Sequence, residues 1–357
     1  LLFLAAVLKG VHKHAGLLRA GVASSGNEHR LGANEAPPAI ISVFMGQMLT
    51  RVIEEIIAGT STARADQQML SMGIARLPEI EKDNTDRNRT SPFAFTGQKF
   101  EFRAVGSSQS IAFPVVLLNA AVAEAIGEIT EELRAELKDG KRDTAAIDDA
   151  ALKVVRRAFE ESSAVRFEGN NYSEEWVVEA ASRGLPNLRR SPEALAQLVT
   201  DQSRTLLTSL GIFTDEELDS RYHVRLERYA KDMLIELHTL KEMVDTLVLP
   251  TAYRYAGELA TAAAHAKTAG ITVIPQIAAA NAVGALTHEL QKRRDALAAV
   301  IAMADTMHDD IAGLARLLTA DGADRMHDVR EMCDALELMV ADAEWPLPKY
   351  REVLFPV

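Results

Sequence analysis

Between residues 226 and 340 the apolar side chains fall into three successive seams, and these constrain the fold more than any other feature. Leu226, Ala230, Met233, Leu237, Leu240, Val244 and Leu247 step alternately by four and three, the spacing that sets the knobs of one helix into the holes of another. Leu286, Leu290, Leu297, Ile301, Ala304, Ile311 and Leu314 form a second seam, and Met326, Val329, Cys333, Leu336 and Val340 a third. Three seams in succession predict helices packed antiparallel in a bundle. Pro250 is expected to end or kink the first of them. Cys333 stands within an apolar stripe and reads as core rather than nucleophile, and the methionines read as core filling. His223, His238, His265, His288, His308 and His327 are scattered along these helices without a second ligand at metal spacing.

Helical character begins upstream, at Asp143. Start signals recur at Ser191-Pro192-Glu193 and in the capping-box pattern Thr214-Asp215-Glu216-Glu217. Trp345-Pro346 and Pro348 mark an irregular tail. A chain of 357 residues can bury a large core in one domain or two. The net charge of −12 argues against nucleic acid or an anionic membrane surface as a general partner. No apolar run approaches the roughly 20 residues of a membrane span. A single cysteine excludes an internal disulfide framework and fits a reducing, cytoplasmic setting. Leu1 to Leu8 is apolar without a preceding Met or basic region, so it is no secretory signal. The chain opens as though inside a helix and is expected to be a fragment of a longer protein.

The first third is more varied. Residues 1–20 predict a helix whose apolar face is broken by Gly10 and Gly16. His12 and His14, two apart, cannot share a helix face. Residues 21–36 predict a glycine-rich polar connection carrying Arg30 and Glu35, which by composition is an ordinary surface loop. Pro37-Pro38 is expected to start a second helix reaching Ala58, with Ile41, Phe44, Met48, Val52 and Ile56 on its core face. From Ser107 to about Lys138 the pattern is helical again, interrupted early by Pro114, and Asp139-Gly140-Lys141 is a turn.

Between these helices lies DNTDRNRTSPFAFTGQKFEFRAVGSS at 83–108. Lys99-Phe100-Glu101-Phe102-Arg103 alternates charged and aromatic residues, the period of a half-buried strand. Lys99, Glu101 and Arg103 then share one face, and Phe100 and Phe102 anchor the other. Upstream, Asp86, Arg87 and Arg89 sit in a polar loop. A rigid charged face beside an arginine-bearing loop suits a substrate with carboxylates or phosphates, which arginine grips in pairs, and a glutamate among cations can hold a metal. The same pattern also describes a solvated face carrying a ladder of surface ion pairs. The chain is therefore α+β and predominantly α.

Three blocks resemble the long, type III form of glutamine synthetase: GNEHRLGANEAPPAI at 26–40, the 83–108 segment, and FEGNNYSEEWVVEAASRGLPN at 167–187. The resemblance implies that residues 1–120 are the C-terminal portion of the catalytic domain, with antiparallel strands backed by helices, and that 121–357 are a helical C-terminal region. It implies ligation of ammonia to glutamate with ATP and Mg²⁺ (or Mn²⁺), in a homo-oligomer of two hexameric rings. By the same resemblance Arg30 binds a carboxylate of glutamate, and Glu35 belongs to a flap that closes over the substrate. Arg89 stabilises the transferred phosphoryl group, Glu101 is a metal ligand, and Arg103 meets the γ-carboxylate end of glutamate. Lys99 falls where better-known members have a nucleotide-contacting arginine, and Ala94 replaces another arginine, so one phosphate contact is unassigned. The third block is implied to be a structural signature. A β-grasp domain, two further metal-binding glutamates and a nucleotide loop would precede Leu1, so residues 1–357 alone are expected to be inactive. Rival readings are a related γ-glutamyl amine ligase and a catalytically incomplete helical assembly module.

Overall fold

The computed structural model describes residues 1–33, 36–59, 90–104, 106, 109–137 and 143–354, with the backbone alone at Met69–Leu70, Ile80–Glu81 and 350–351. Glu35, Asn34, Asp86, Arg87, Arg89 and the turn at 139–141 lie outside the described residues. The chain forms two compact units, Leu1–Arg225 and Leu226–Val357.

The first unit opens with α1 (Leu2–Lys13), α2 (Ala15–Gly21) and the short α3 (Ser25–Glu28). Strand β1 (Val43–Phe44) and α4 (Gln47–Ala58) follow, then β2 (Met69–Leu70), β3 (Ile80–Glu81), β4 (Phe93–Phe95) and β5 (Phe100–Phe102). The unit continues through α5 (Ala112–Glu136), α6 (Thr144–Glu161), α7 (Glu174–Ser182), α8 (Ser191–Leu195) and α9 (Asp201–Ser209) into α10 (Asp215–Met243), which crosses the unit boundary.

The opening helix breaks at His14 (φ −117°, ψ 26°) rather than at either glycine. His14 is buried, and its Nε2 lies 2.6 Å from Glu124 Oε2 on α5. Gly10 has a different task. A Cβ there would stand 2.8 Å from the Ala121 carbonyl oxygen, so the glycine lets α1 and α5 approach closely. The same contact carries charge. Lys9 pairs with Glu128, Glu132 and Glu161, and Lys13 with Glu124 and Glu128. Burial disfavours the Lys9 ammonium, but its bonds to Glu132 and Glu161 outweigh that and raise its pKa.

Helix α5 is the one described helix long and apolar enough, by length and composition, to cross a membrane, which the sequence reading did not anticipate. Its packing on α1, α2 and α6 and its paired glutamates are those of a helix set among helices. Pro114 does not interrupt it. That residue occupies the first turn, where a missing N–H leaves no helical bond unmade.

Two expectations about residues 21–44 are overturned. The first half of the 21–36 connection is no surface loop: Val22, Ala23, Ser25 and Asn27 are buried, and Asn27 Nδ2 donates to the Val22 carbonyl at 2.6 Å, while His29, Gly32 and Ala33 are exposed. Nor does a helix start at Pro37-Pro38. Ile40, Ile41 and Val43 are buried and β1 is extended, because both its edges are used. Val43 and Phe44 pair in parallel with Phe93 and Ala94, while Val43 also bridges Arg166. Helix α4 begins only at Gln47, after Gly46 (φ 79°), and buries Ile53 while Met48 is exposed.

Sheet order is β1-β4-β5, with β4 and β5 antiparallel. The sheet is thus mixed rather than wholly antiparallel, since a crossover containing α4 returns the chain parallel to β1.

The second unit holds the seams. Leu226, Ala230, Met233, Leu237 and Val244 are buried as expected. A π-helical turn at Val244–Val248 then shifts the phase, so Val248 (1% exposed) takes the core place expected of Leu247 (38%). Pro250 does not end the helical run, because α11 (Leu249–Thr268) continues from that turn with the proline at its start. Helix α11 packs on α12 (Ile274–Ala304), and α12 on α14 (Ala323–Glu337). Between them lie α13 (Ile311–Leu317) and a second π turn, Leu318–Gly322.

On α12 Leu290, Leu297, Ile301 and Ala304 are buried as expected, and Thr287 takes the core place expected of Leu286, with Val283 extending the line. Val329, Cys333, Leu336 and Val340 are buried as predicted, and burial pushes the Cys333 thiol up to about 11. Met233 is core, but Met48 and Met303 are exposed. Trp345 is buried, and the tail adds α15 (Tyr350–Leu354).

Candidate functional site

Strands β4 and β5 form a tight hairpin. Gly97 (φ 92°) supplies the left-handed residue, and Thr96 N–H donates to the Lys99 carbonyl at 2.8 Å. Phe93, Phe95, Phe100 and Phe102 meet on one face, with ring centroids 5.2–5.9 Å apart. The opposite face carries the expected ladder. Arg103 Nε and Nη2 lie 3.3 and 3.2 Å from Glu101 Oε2, and Lys99 Nζ lies 3.4 Å from Glu101 Oε1.

Exposure falls along the ladder, from Lys99 (66%) through Glu101 (36%) to Arg103 (13%). The cationic end is thus anchored and the carboxylate stays open to solvent. Arg103, ahead of Lys99, holds the Glu101 carboxyl below the usual carboxylate range. Such a face can present a fixed anion and a planar donor fork to a ligand.

The structure therefore brings Lys99, Glu101 and Arg103 together. Arg30 stands at the base of the loop 31–36, where Leu31 bridges Ala36 and Gly32 N–H donates to the Ala36 carbonyl. Glu35 and Arg89 fall outside the described residues. Among the described residues no group of three or more His, Cys, Asp or Glu side chains could hold a metal ion.

What sequence reasoning did not assign individually is the clamp behind this hairpin, built from the 167–187 block. Phe167 N–H donates to the Val43 carbonyl (3.0 Å). Buried Asn171 accepts from Ser42 Oγ at 2.7 Å and donates to Ser91 Oγ at 3.3 Å, tying the start of β1 to the residues before β4. Glu168 accepts from the Met45 and Gly46 N–H groups (2.9 and 3.0 Å) and from Thr50 Oγ1 (2.9 Å). That carboxylate satisfies backbone donors at the start of α4, where negative charge is favoured. Phe167 stacks on Trp176 with centroids 3.7 Å apart, and Arg183 covers the Trp176 ring at 5.3 Å. The signal for all this was the acidic and amide cluster Glu168-Gly169-Asn170-Asn171 between two aromatics.

Residues 150–267 match the glutamine synthetase C-terminal domain family. The chain is 38% identical over 99% of its length to a type-3 glutamine synthetase of Dictyostelium discoideum, and covers 48% of that protein. It is 37% identical over 99% of its length to a glutamine synthetase of Bacteroides fragilis, covering 49% of it. A glutamine synthetase of Butyrivibrio fibrisolvens is 34% identical over the same share, with 50% covered. The chain thus spans about half the length of the curated relatives it matches. Through nearly all of its residues this chain is similar to glutamine synthetases, a type-3 member among them, and its residues 150–267 match their C-terminal domain family.

Proposed function

We propose that the chain is part of a glutamate–ammonia ligase that joins ammonia to the γ-carboxylate of glutamate, driven by ATP, through γ-glutamyl phosphate. The observation that carries this reading is the Lys99–Glu101–Arg103 face, set on an aromatic-backed hairpin. In this proposal residues 1–120 are the end of the catalytic domain, and 121–357 are a helical region serving a cytoplasmic homo-oligomer of two hexameric rings.

The chemistry has two obstacles. A carboxylate and a triphosphate repel, and ammonium has no lone pair to attack with. Arg103 answers the first by facing the γ-carboxylate of glutamate as negative charge builds on its oxygens. Arg89 faces the phosphoryl group in transfer, Lys99 the nucleotide, and Arg30 a carboxylate of glutamate. Glu35 answers the second, accepting the proton released as ammonia displaces phosphate from the acyl carbon.

Glu101 fits a divalent cation as one ionised oxygen donor. A hard cation takes about six oxygens or more, so this carboxylate would supply one donor of a shell completed by others such as water and phosphate. When bound, Mg²⁺ or Mn²⁺ would neutralise phosphate oxygens.

The test separates the two half-reactions. Glu35→Ala in the complete protein should release phosphate from ATP while making little glutamine. If phosphate release and glutamine formation fall in parallel, the proton-accepting role is wrong.

A further inference from the structure

A cavity of about 260 Å³ lies behind the loop 31–36, on the side of the 167–190 segment. Its apolar wall is Leu31, Pro38, Ile40 and Val177, and its polar side is Asn187 and Arg189. Two further charges on its rim are already spent on each other. Glu28 Oε1 lies 3.2 Å from Arg190 Nη1, and Glu28 Oε2 accepts from the Ser191 N–H at 2.8 Å. Two guanidiniums and one carboxylate leave the rim one positive charge in excess, and that charge is Arg189. Among the described residues it has no carboxylate partner.

The ledge that carries Arg189 is fixed from below. Arg19 is buried, with Nε donating to the Leu188 carbonyl at 2.9 Å and Nη2 to the Arg189 carbonyl at 3.2 Å. Burial lowers its pKa to about 10, which still leaves it charged at neutral pH. A buried arginine spent on two backbone carbonyls holds the 188–189 backbone in one place, so the point from which Arg189 projects is fixed.

The geometry points to a binding site for a small aliphatic carboxylate, its head on Arg189 and its chain along Leu31, Pro38, Ile40 and Val177. Size sets the class. Cavities of about 300–1,000 Å³ take drug-sized ligands, so about 260 Å³ suits a metabolite of a few carbons. The lining sets the rest: an apolar wall selects a hydrocarbon body, and a planar donor fork selects a carboxylate head. The site goes beyond the proposed ligase reaction and does not depend on it, since none of these side chains is assigned a catalytic part.

The probe is sodium hexanoate, titrated into the full 357-residue chain by ligand-observed NMR, with acetate and hexanol as head-only and tail-only controls. Saturable one-to-one binding in the millimolar range is expected, at least tenfold tighter than either control. Arg189→Gln, on the exposed rim, should weaken hexanoate at least tenfold, and Val177→Glu should abolish its binding. Arg316→Gln in the second unit should leave binding unchanged. No saturable binding, equal binding of hexanol or acetate, or undiminished binding to Arg189→Gln would each overturn the assignment.

Discussion

Glu101 is a carboxylate with a cation on either side along one strand face, and its chemistry follows from that position. Its folded pKa is depressed, by Arg103 first and Lys99 next. Any stability the pairing adds is therefore present above the carboxylate's unfolded pKa and is lost as pH falls through the folded one. Titrated by NMR, Glu101 should show a midpoint below the ordinary glutamate value, and Arg103→Gln should move it back up. An unmoved midpoint would mean that Arg103 is not the dominant neighbour. Asn171 is the residue on which the clamp depends. Removing its amide takes the acceptor from the buried Ser42 hydroxyl and one bond from Ser91, a loss of about 1–3 kcal/mol. Asn171→Ala should lower the urea midpoint accordingly without changing the slope of the transition.

At the scale of elements, close approach and open space make opposite predictions for two glycines. Gly10→Ala drives a methyl against the Ala121 carbonyl and should destabilise the α1–α5 contact by about 1–3 kcal/mol. Gly127, exposed within α5, has nothing within 4 Å of a Cβ, so Gly127→Ala should stabilise by about 0.5–1 kcal/mol. Thermal melts of the two variants should move in opposite directions. The comparison also marks what a sequence can carry. The second strand of the hairpin was legible because Lys99 to Arg103 alternate, a local fact, whereas β4 was not read as a strand. The capping box was equally local: Thr214 N–H donates to Glu217 Oε2 at 2.9 Å, and Glu217 N–H to Thr214 Oγ1 at 3.2 Å. Strand β1 was misread as helix because its partners lie near residues 93 and 166, far along the chain. The same distance hid Glu168, which caps a helix 122 residues upstream in sequence. Leu247 was misplaced for another reason: a π turn adds a residue that no fixed helical period anticipates.

For the whole molecule, the first unit holds a charged, aromatic-backed hairpin and the second a seam-packed set of helices. Each follows from where apolar residues recur. The chain spans about half the length of its relatives, and among its described residues no three His, Cys, Asp or Glu side chains gather to hold a cation that needs several oxygens. Residues 1–357 expressed alone should therefore be helical by circular dichroism yet make no glutamine from glutamate, ammonium, ATP and Mg²⁺. Activity above background would place the metal donors within this chain. The most direct test of the central claim is the turnover number for glutamine formation by the complete protein carrying Arg103→Lys. Lysine keeps the charge but cannot reproduce a planar fork meeting carboxylate oxygens in pairs. The account predicts a fall of roughly 10²–10³-fold, the scale of losing one preorganised donor, in a protein whose circular dichroism and melting temperature are those of the parent. Near-parental turnover in that folded variant would contradict it and return Lys99, Glu101 and Arg103 to a ladder of surface ion pairs.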